Sequence, residues 1–128
     1  MLVDNFGRLL KLVLSPGQSS DHKHAPELAG QAIEYQAQAV IGDKGYDSDA
    51  LRGQIEGAGL ESIIPFRKCR TIRSEIDRER YKARNIVERF IGKLKENRRV
   101  ATRYDKKATH FAGFILLAAI KAWLKIIC

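Results

Sequence analysis

Ala39-Val-Ile-Gly-Asp43-Lys-Gly-Tyr-Asp47, joined through one helical stretch to Leu60-Glu-Ser-Ile-Ile-Pro65, decides the fold of this 128-residue chain. Ala39-Val40-Ile41 is short and fully apolar, as a central strand covered on both faces would be. Asp47 or Ser48 then caps a helix running to about Glu56, which Gly57-Ala58-Gly59 ends. Leu60 to Pro65 is a second short strand. Strand, helix, strand with tight connections is a βαβ unit, so the two strands are expected to be parallel.

Outward from this unit the chain alternates in the same manner. Met1 to Val3 and Arg8 to Ser15 read as two strands around a turn built from Asp4-Asn5 and Gly7. The first has barely three residues before its turn, so something upstream is expected to complete it. Pro16 to Asp21, with Gly17, Gln18 and Ser19, is a loop, and a helix follows over roughly Pro26 to Gln36. Its apolar side carries Leu28, Ala29, Ala32, Ile33 and Tyr35. Beyond Pro65 come a basic loop from Phe66 to Ser74, a long helix from about Ile76 to Val100, and a last helix from about Thr109 to the C-terminus. The expected fold is α/β and a single domain spans 1–128.

Composition narrows the partners. The net charge is +8 and hydrophobic content 45%, which excludes wholesale disorder and favours a polyanion, nucleic acid first. A ribosomal or RNA neighbour fits the charge equally well, but leaves the carboxylates described below unexplained. Ten Lys or Arg lie between Lys82 and Lys107, more than solubility needs. The two cysteines, Cys69 and Cys128, form neither a CxxC nor a Cys/His pattern, which argues for a reduced, cytosolic protein without a zinc site. No signal peptide opens the chain. Phe111 to Ile127 is apolar, but Lys121 and Lys125 break it short of a membrane span, and it reads as a buried helix.

Two carboxylates stand out. Asp43 follows an apolar strand directly, where α/β proteins gather their ligands, and Gly42 and Gly45 permit close backbone approach. Read as one helix, Tyr81, Arg84, Glu88 and Lys95 fall within roughly 60° of each other, beside a core arc of Ile86, Val87, Phe90, Ile91 and Leu94. Hydroxyl, carboxylate and two cations then border the core, where a half-buried carboxylate can face a cleft. The plainer reading is an i,i+4 ion pair of Arg84 with Glu88 on a solvated face. Arg98, Arg99 and Arg103 continue the basic band, which suits phosphate contacts. Two carboxylates from different elements suit Mg²⁺ ions, although two-metal sites commonly use three or more. His22 and His24 read as loop residues, and His110 as the start of the last helix.

These residues resemble the DDE transposases of bacterial insertion sequences. Tyr81-(2)-Arg84-(3)-Glu88-(6)-Lys95 matches the signature around that family's last acid, and Asp43-Lys-Gly-Tyr-Asp-Ser its second acid. Pro65-Phe-Arg-Lys, Ala101-Thr-Arg-Tyr-Asp-Lys106 and Leu14-Ser-Pro-Gly-Gln-Ser-Ser-Asp21 are similar as well, so the resemblance covers essentially the whole chain. It implies a ribonuclease H-like mixed sheet flanked by helices, and phosphoryl transfer at element ends with Mg²⁺ (or Mn²⁺). It implies Asp43 and Glu88 as catalytic and metal-binding residues, and Tyr81, Arg84, Lys95 and Arg99 as DNA-binding residues.

The family's first acid lies on a strand upstream of Val3, and Asp4 resembles the hairpin-turn aspartate rather than that acid. The chain is therefore expected to be the carboxy-terminal part of a transposase, with the first strand missing, and not fully active alone. Expected partners are transposon-end and target DNA, an upstream-frame transposase part and further copies of itself; no membrane is expected. The bacterial cytoplasm, associated with the nucleoid, is the expected location. The alternative is a non-catalytic DNA-binding remnant that regulates transposition.

Overall fold

Asp4 closes the hairpin that begins the chain. Its Oδ1 accepts the N–H of Phe6 at 2.9 Å and of Arg8 at 2.8 Å, and Gly7 takes φ +77°, a region closed to most side chains. This turn joins β1 (Leu2–Val3) to β2 (Leu9–Lys11), antiparallel, with Leu2 opposite Lys11 and Val3 opposite Leu9. There follow α1 (Ala25–Glu34), β3 (Ala39–Ile41), α2 (Asp49–Gly57), β4 (Glu61–Ile63), α3 (Arg78–Tyr81), α4 (Asn85–Lys95), α5 (Arg98–Ala101) and α6 (Ala108–Ile127). The computed structural model describes residues 1–16, 20–103 and 106–127, without the side chains of 125–127. Gly17, Gln18 and Ser19 of the expected loop, Tyr104 and Asp105 of the matched Ala101–Lys106 stretch, and Cys128 lie outside the described residues.

The chain divides into two compact units, residues 15–84 and residues 1–14 with 85–128. The first contains the βαβ unit. β3 and β4 pair in parallel, Ala39 with Glu61, Val40 with Ser62 and Ile41 with Ile63. Ser48 caps α2, its hydroxyl receiving the N–H of Leu51, and Gly59 at φ +83° turns the chain back toward β4. Ala25, Ala29, Leu51, Ile55, Leu60 and Ile64 form the core, against which Ile33, Val40 and Tyr46 pack. Ile55 is completely buried, worth about 2–3 kcal/mol by its apolar area. On α1, Tyr35 points to solvent instead of joining the apolar side.

In the other unit Phe90 and Leu94 of α4 meet Ile115, Ala118 and Ala119 of α6. The small alanines let the two helices approach closely. Val3, Leu9, Leu12 and Leu14 of the hairpin region close this core together with Val100 and Phe111.

Several expectations change. The described strands form two separate two-stranded sheets, not one mixed sheet. β3 is half-buried throughout, because only β4 pairs with it. The helix expected from Ile76 to Val100 is three helices. Asp77 caps α3, its carboxylate accepting the N–H groups of Glu79 and Arg80, and residues 82–84 tighten into a 3-10 turn. The reason lies in the pattern: residues 78–85 offer no apolar stripe to bury, so ion pairs such as Arg80–Glu61 and Lys82–Glu79 must hold what packing does not. Asn97 ends the following helical stretch in an extended conformation, its side-chain amide donating to the Leu94 carbonyl. α6 is buried on one face only; Leu116, Leu117, Ile120 and Leu124 are exposed. Among the described residues no helix is long and apolar enough to cross a membrane.

Candidate active site

Asp43 stands at the carboxyl end of β3. The ladder runs one residue past the strand, Gly42 N–H donating to Ile63 O at 3.2 Å, and the chain then turns sharply through a 3-10 turn, Lys44–Tyr46. Asp43 caps that turn: its Oδ1 accepts the Gly45 N–H at 2.7 Å. The side chain is exposed, and among the described residues Oδ2 has no hydrogen-bond partner. One oxygen is thus oriented by the backbone while the other is left for a ligand. A β-carbon at position 45 would stand 2.7 Å from Oδ1, so glycine is what allows this carboxylate its place. The Tyr46 ring packs on the core and meets the His22 ring edge-on at 5.3 Å. Burial pushes its phenol above the ordinary value, and the charges of Asp21 and Asp43 push it further.

Beneath the turn lies an ion-pair cluster that the sequence reading missed. Asp47 does not cap α2; its side chain has no solvent exposure and four donors converge on it. Oδ1 accepts Arg52 Nε and Nη2 at 3.2 and 3.1 Å, and Oδ2 accepts the Arg67 N–H at 2.8 Å and Arg70 Nε at 2.7 Å. Burial alone would raise the Asp47 carboxyl, but the bonds from Arg67, Arg52 and Arg70 outweigh it and hold the group below its ordinary value. Every acceptor site of this buried charge is matched, the condition under which such a charge is tolerated. Arg52 also donates to Ile64 O at 2.5 Å and stacks on Phe66, its guanidinium carbon 4.0 Å from the ring centre. Arg70 reaches Asp49 as well, at 2.6 Å. A buried aspartate so near a turn reads as a cap in sequence; the hint was the run of three arginines at 67, 70 and 73.

The remaining candidates separate into two pairs. Tyr81 ends α3 and Arg84 ends the 3-10 turn, both half-buried, with the Arg84 guanidinium 5.7 Å above the Tyr81 ring centre. Glu88 and Lys95 both lie on α4, seven residues apart, so they share a face at about 10 Å along the axis, and both are exposed. A 3-10 turn over residues 82–84 separates Tyr81 from α4, so the four residues do not lie on one continuous α-helix. Arg99 of α5 is exposed, and its guanidinium carbon lies 4.6 Å from the centre of the Phe114 ring of α6. Arg103 sits over Phe111 in the same way, at 4.9 Å. Asp43 belongs to the first unit and Glu88 to the second. Among the described residues no three His, Cys, Asp or Glu side chains gather as a metal site. His22 and His24 lie in a 3-10 turn, Asp21–His24, as loop residues would.

An exposed carboxylate at the mouth of a parallel strand pair, in a chain rich in phosphate-seeking cations, describes a class of proteins working on nucleic acid. The chain belongs to the transposase DDE domain family, which matches residues 1–121. The family acts in DNA transposition, on DNA, and generally uses a divalent metal. A protein of Brucella ovis named "Putative transposase for insertion sequence element IS6501" is 34% identical over 97% of this chain and 95% of its own length. No solved structure matches the chain.

Proposed function

We propose that the chain is a DDE transposase part that contributes two of the carboxylates for cleavage and joining of DNA strands at insertion-sequence ends. The observation that carries this reading is Asp43, an exposed carboxylate with one oxygen aimed by Gly45 N–H and the other open, at the carboxyl end of β3. That donor chemistry suits a hard divalent cation, Mg²⁺ or Mn²⁺, which takes oxygen ligands. Asp43 and Glu88 are the residues that would hold it. When bound, it would lower the pKa of an attacking water or hydroxyl and stabilise the leaving oxygen. Two carboxylates fill few of about six coordination positions. Substrate phosphate, water and a first-acid Asp supplied from outside these residues, by an upstream-frame transposase part, complete the set in this reading.

The chain's other residues bind and orient. Arg84 and Lys95 would grip DNA phosphate near the cleavage point, and Tyr81, whose ring centre lies 5.7 Å from the Arg84 guanidinium, would hydrogen-bond a backbone oxygen or orient Glu88. Arg99, stacked on Phe114, extends the phosphate track. A parallel βαβ unit is one component of a ribonuclease H-like fold, and to that extent β3, α2 and β4 support it. Further copies would join in the active complex, on DNA in the bacterial cytoplasm.

The test is reconstitution. The chain, joined to the part encoded upstream in the other frame, should cut element ends with Mg²⁺. Asp43→Asn and Glu88→Gln should each lower cleavage at least 1,000-fold while end binding stays within about threefold. Cleavage that survives Glu88→Gln sinks the assignment. A fusion that binds ends and never cuts them would favour the regulatory remnant instead.

A further inference from the structure

We propose that Arg67 is a positioning residue for Asp43, holding the turn that aims the carboxylate from a base anchored on the buried Asp47. The inference rests on the reading of Asp43 as a metal ligand, and gives a role to the arginine of the Pro65-Phe-Arg-Lys stretch, outside the Tyr81, Arg84, Glu88, Lys95 signature. Three observations carry it. Arg67 is fixed at its backbone, its N–H bonded to Asp47 Oδ2 at 2.8 Å and its carbonyl accepting the Arg70 N–H at 3.1 Å. From that base the side chain reaches the Asp43 turn, where Nη2 donates to Gly45 O at 2.8 Å and Nε to Lys44 O at 3.3 Å. Gly45, so held by its carbonyl, donates its own N–H to Asp43 Oδ1 at 2.7 Å. An unbroken series of bonds thus runs from Asp47 through Arg67 and Gly45 to the carboxylate.

The turn needs such a support. Residues 44–46 make only a short 3-10 turn, and of its side chains Tyr46 alone packs on the core. The peptide unit that carries the Asp43-orienting N–H has Lys44 O at its other end, which accepts Arg67 Nε and the Asp47 N–H, each at 3.3 Å. The next unit's Gly45 O has no other described donor; without Arg67 both units are held less firmly and can rock. A planar fork of donors grips two adjacent carbonyls at once, which a lysine ammonium on its flexible stem does poorly. Arg67 is also exposed, so its side chain has little to do for the core. The rest of the cluster is structural: Arg70 bonds Asp47 and Asp49 without touching the turn. That contrast separates a positioning role from general stability.

The experiment uses the full chain in solution, with amide hydrogen exchange and Mn²⁺ as the probe. In the wild type the Gly45 amide should be protected, and Arg67→Gln should speed its exchange about tenfold while Gly42, in the strand ladder, stays within twofold. Arg67→Lys should fall between the two. Arg70→Gln should leave Gly45 within twofold of the wild type even where it lowers the melting temperature. Mn²⁺ should broaden the Gly45 and Tyr46 amide signals, not do so in Asp43→Asn, and require about fivefold more metal in Arg67→Gln. An unprotected Gly45, no change in Arg67→Gln, or an equal change in Arg70→Gln overturns the positioning role. Protection that responds to Arg67 with no Mn²⁺ broadening in the wild type keeps the geometry and removes the metal reading instead.

Discussion

Gly45→Ala separates the orientation of Asp43 from the stability of the fold. The new β-carbon would stand 2.7 Å from Asp43 Oδ1, whereas ordinary contact begins near 3.4 Å, so the carboxylate must withdraw by about 0.7 Å. Because the obstacle is the end of a rotatable side chain, the cost in stability is small. Withdrawal breaks the Gly45 N–H bond to the carboxylate, worth about 1 kcal/mol at an exposed position. Position 45 is not in the positive-φ region, so alanine also restricts the unfolded chain and returns about 0.4–1 kcal/mol. The net change is within about 1 kcal/mol, a shift of no more than about 5 °C in melting temperature. Catalysis is less forgiving. A reacting group displaced by about 1 Å can lose roughly 100-fold in rate, and about 0.7 Å should lose roughly 30-fold or more. The assay is single-turnover cleavage of a labelled element end by the reconstituted transposase, beside a thermal melt. Gly42→Ala is the control, since its β-carbon would meet Ile64 and Tyr46 only at 3.5 and 3.6 Å and should leave the rate within about threefold. A Gly45→Ala protein that cleaves within about threefold of wild type would refute the reasoning.

Other perturbations test the surroundings. Asp47→Asn keeps the shape of a buried acceptor but removes its charge, and should cost about 2–3 kcal/mol by denaturant titration, with Arg52 left without a carboxylate and Arg70 paired to Asp49 alone. The wild type should also lose stability in acid. With the folded carboxyl depressed, the unfolded chain takes up its proton first, so stability is full above about pH 5 and falls as pH drops through the unfolded value near 3.9 toward the folded one. Asp47→Asn should flatten that limb of the curve; an unchanged slope would mean that Asp47 is not its source. Gly53→Ala in α2 meets nothing within 4 Å and should raise stability by about 0.5–1 kcal/mol, a loss of stability contradicting the open space there. Lys95→Gln should weaken DNA binding alike on all sequences and reduce the salt slope of log K by about 0.9; an unchanged slope would take Lys95 off the phosphate track.

Local chemistry was legible because each signal required only its neighbours. Asp4 and Gly7 make a turn from their own side chain and backbone freedom, and Ser48 and Gly59 start and stop α2. The strand, helix, strand order around them makes β3 and β4 parallel. The long helix from Ile76 was not legible, since propensity favours Arg78 to Arg84 as helix while nothing apolar there binds it to a core. Likewise the apolar run 111–127 reads as buried, yet among the described residues Leu116, Leu117, Ile120 and Leu124 of α6 stay exposed while Ile115, Ala118 and Ala119 pack on α4. Periodicity states which residues could share a face, not how many partners arrive to cover it.

The site follows the same division, with a consequence for how it works. The proposed site residues Asp43, Glu88, Arg84 and Lys95 are visible as residue types at a spacing. What aims Asp43 is not visible. Asp47 collects Arg52 from α2 and Arg67 and Arg70 from the loop after β4, partners 5, 20 and 23 residues away, and only folding reveals that they share one carboxylate. A carboxylate that must hold a cation within a few tenths of an ångström needs a rigid base. Here a buried charge provides it in place of apolar packing, since a two-stranded sheet has little core to offer beneath a turn. A cluster of this kind, once broken, leaves charged groups unpaired and cannot relax by degrees, so it holds the turn in one arrangement. On the proposed reading of Asp43, the exposed carboxylate and the buried ion cluster are two halves of one device, one to contact the substrate and the other to fix where that contact occurs.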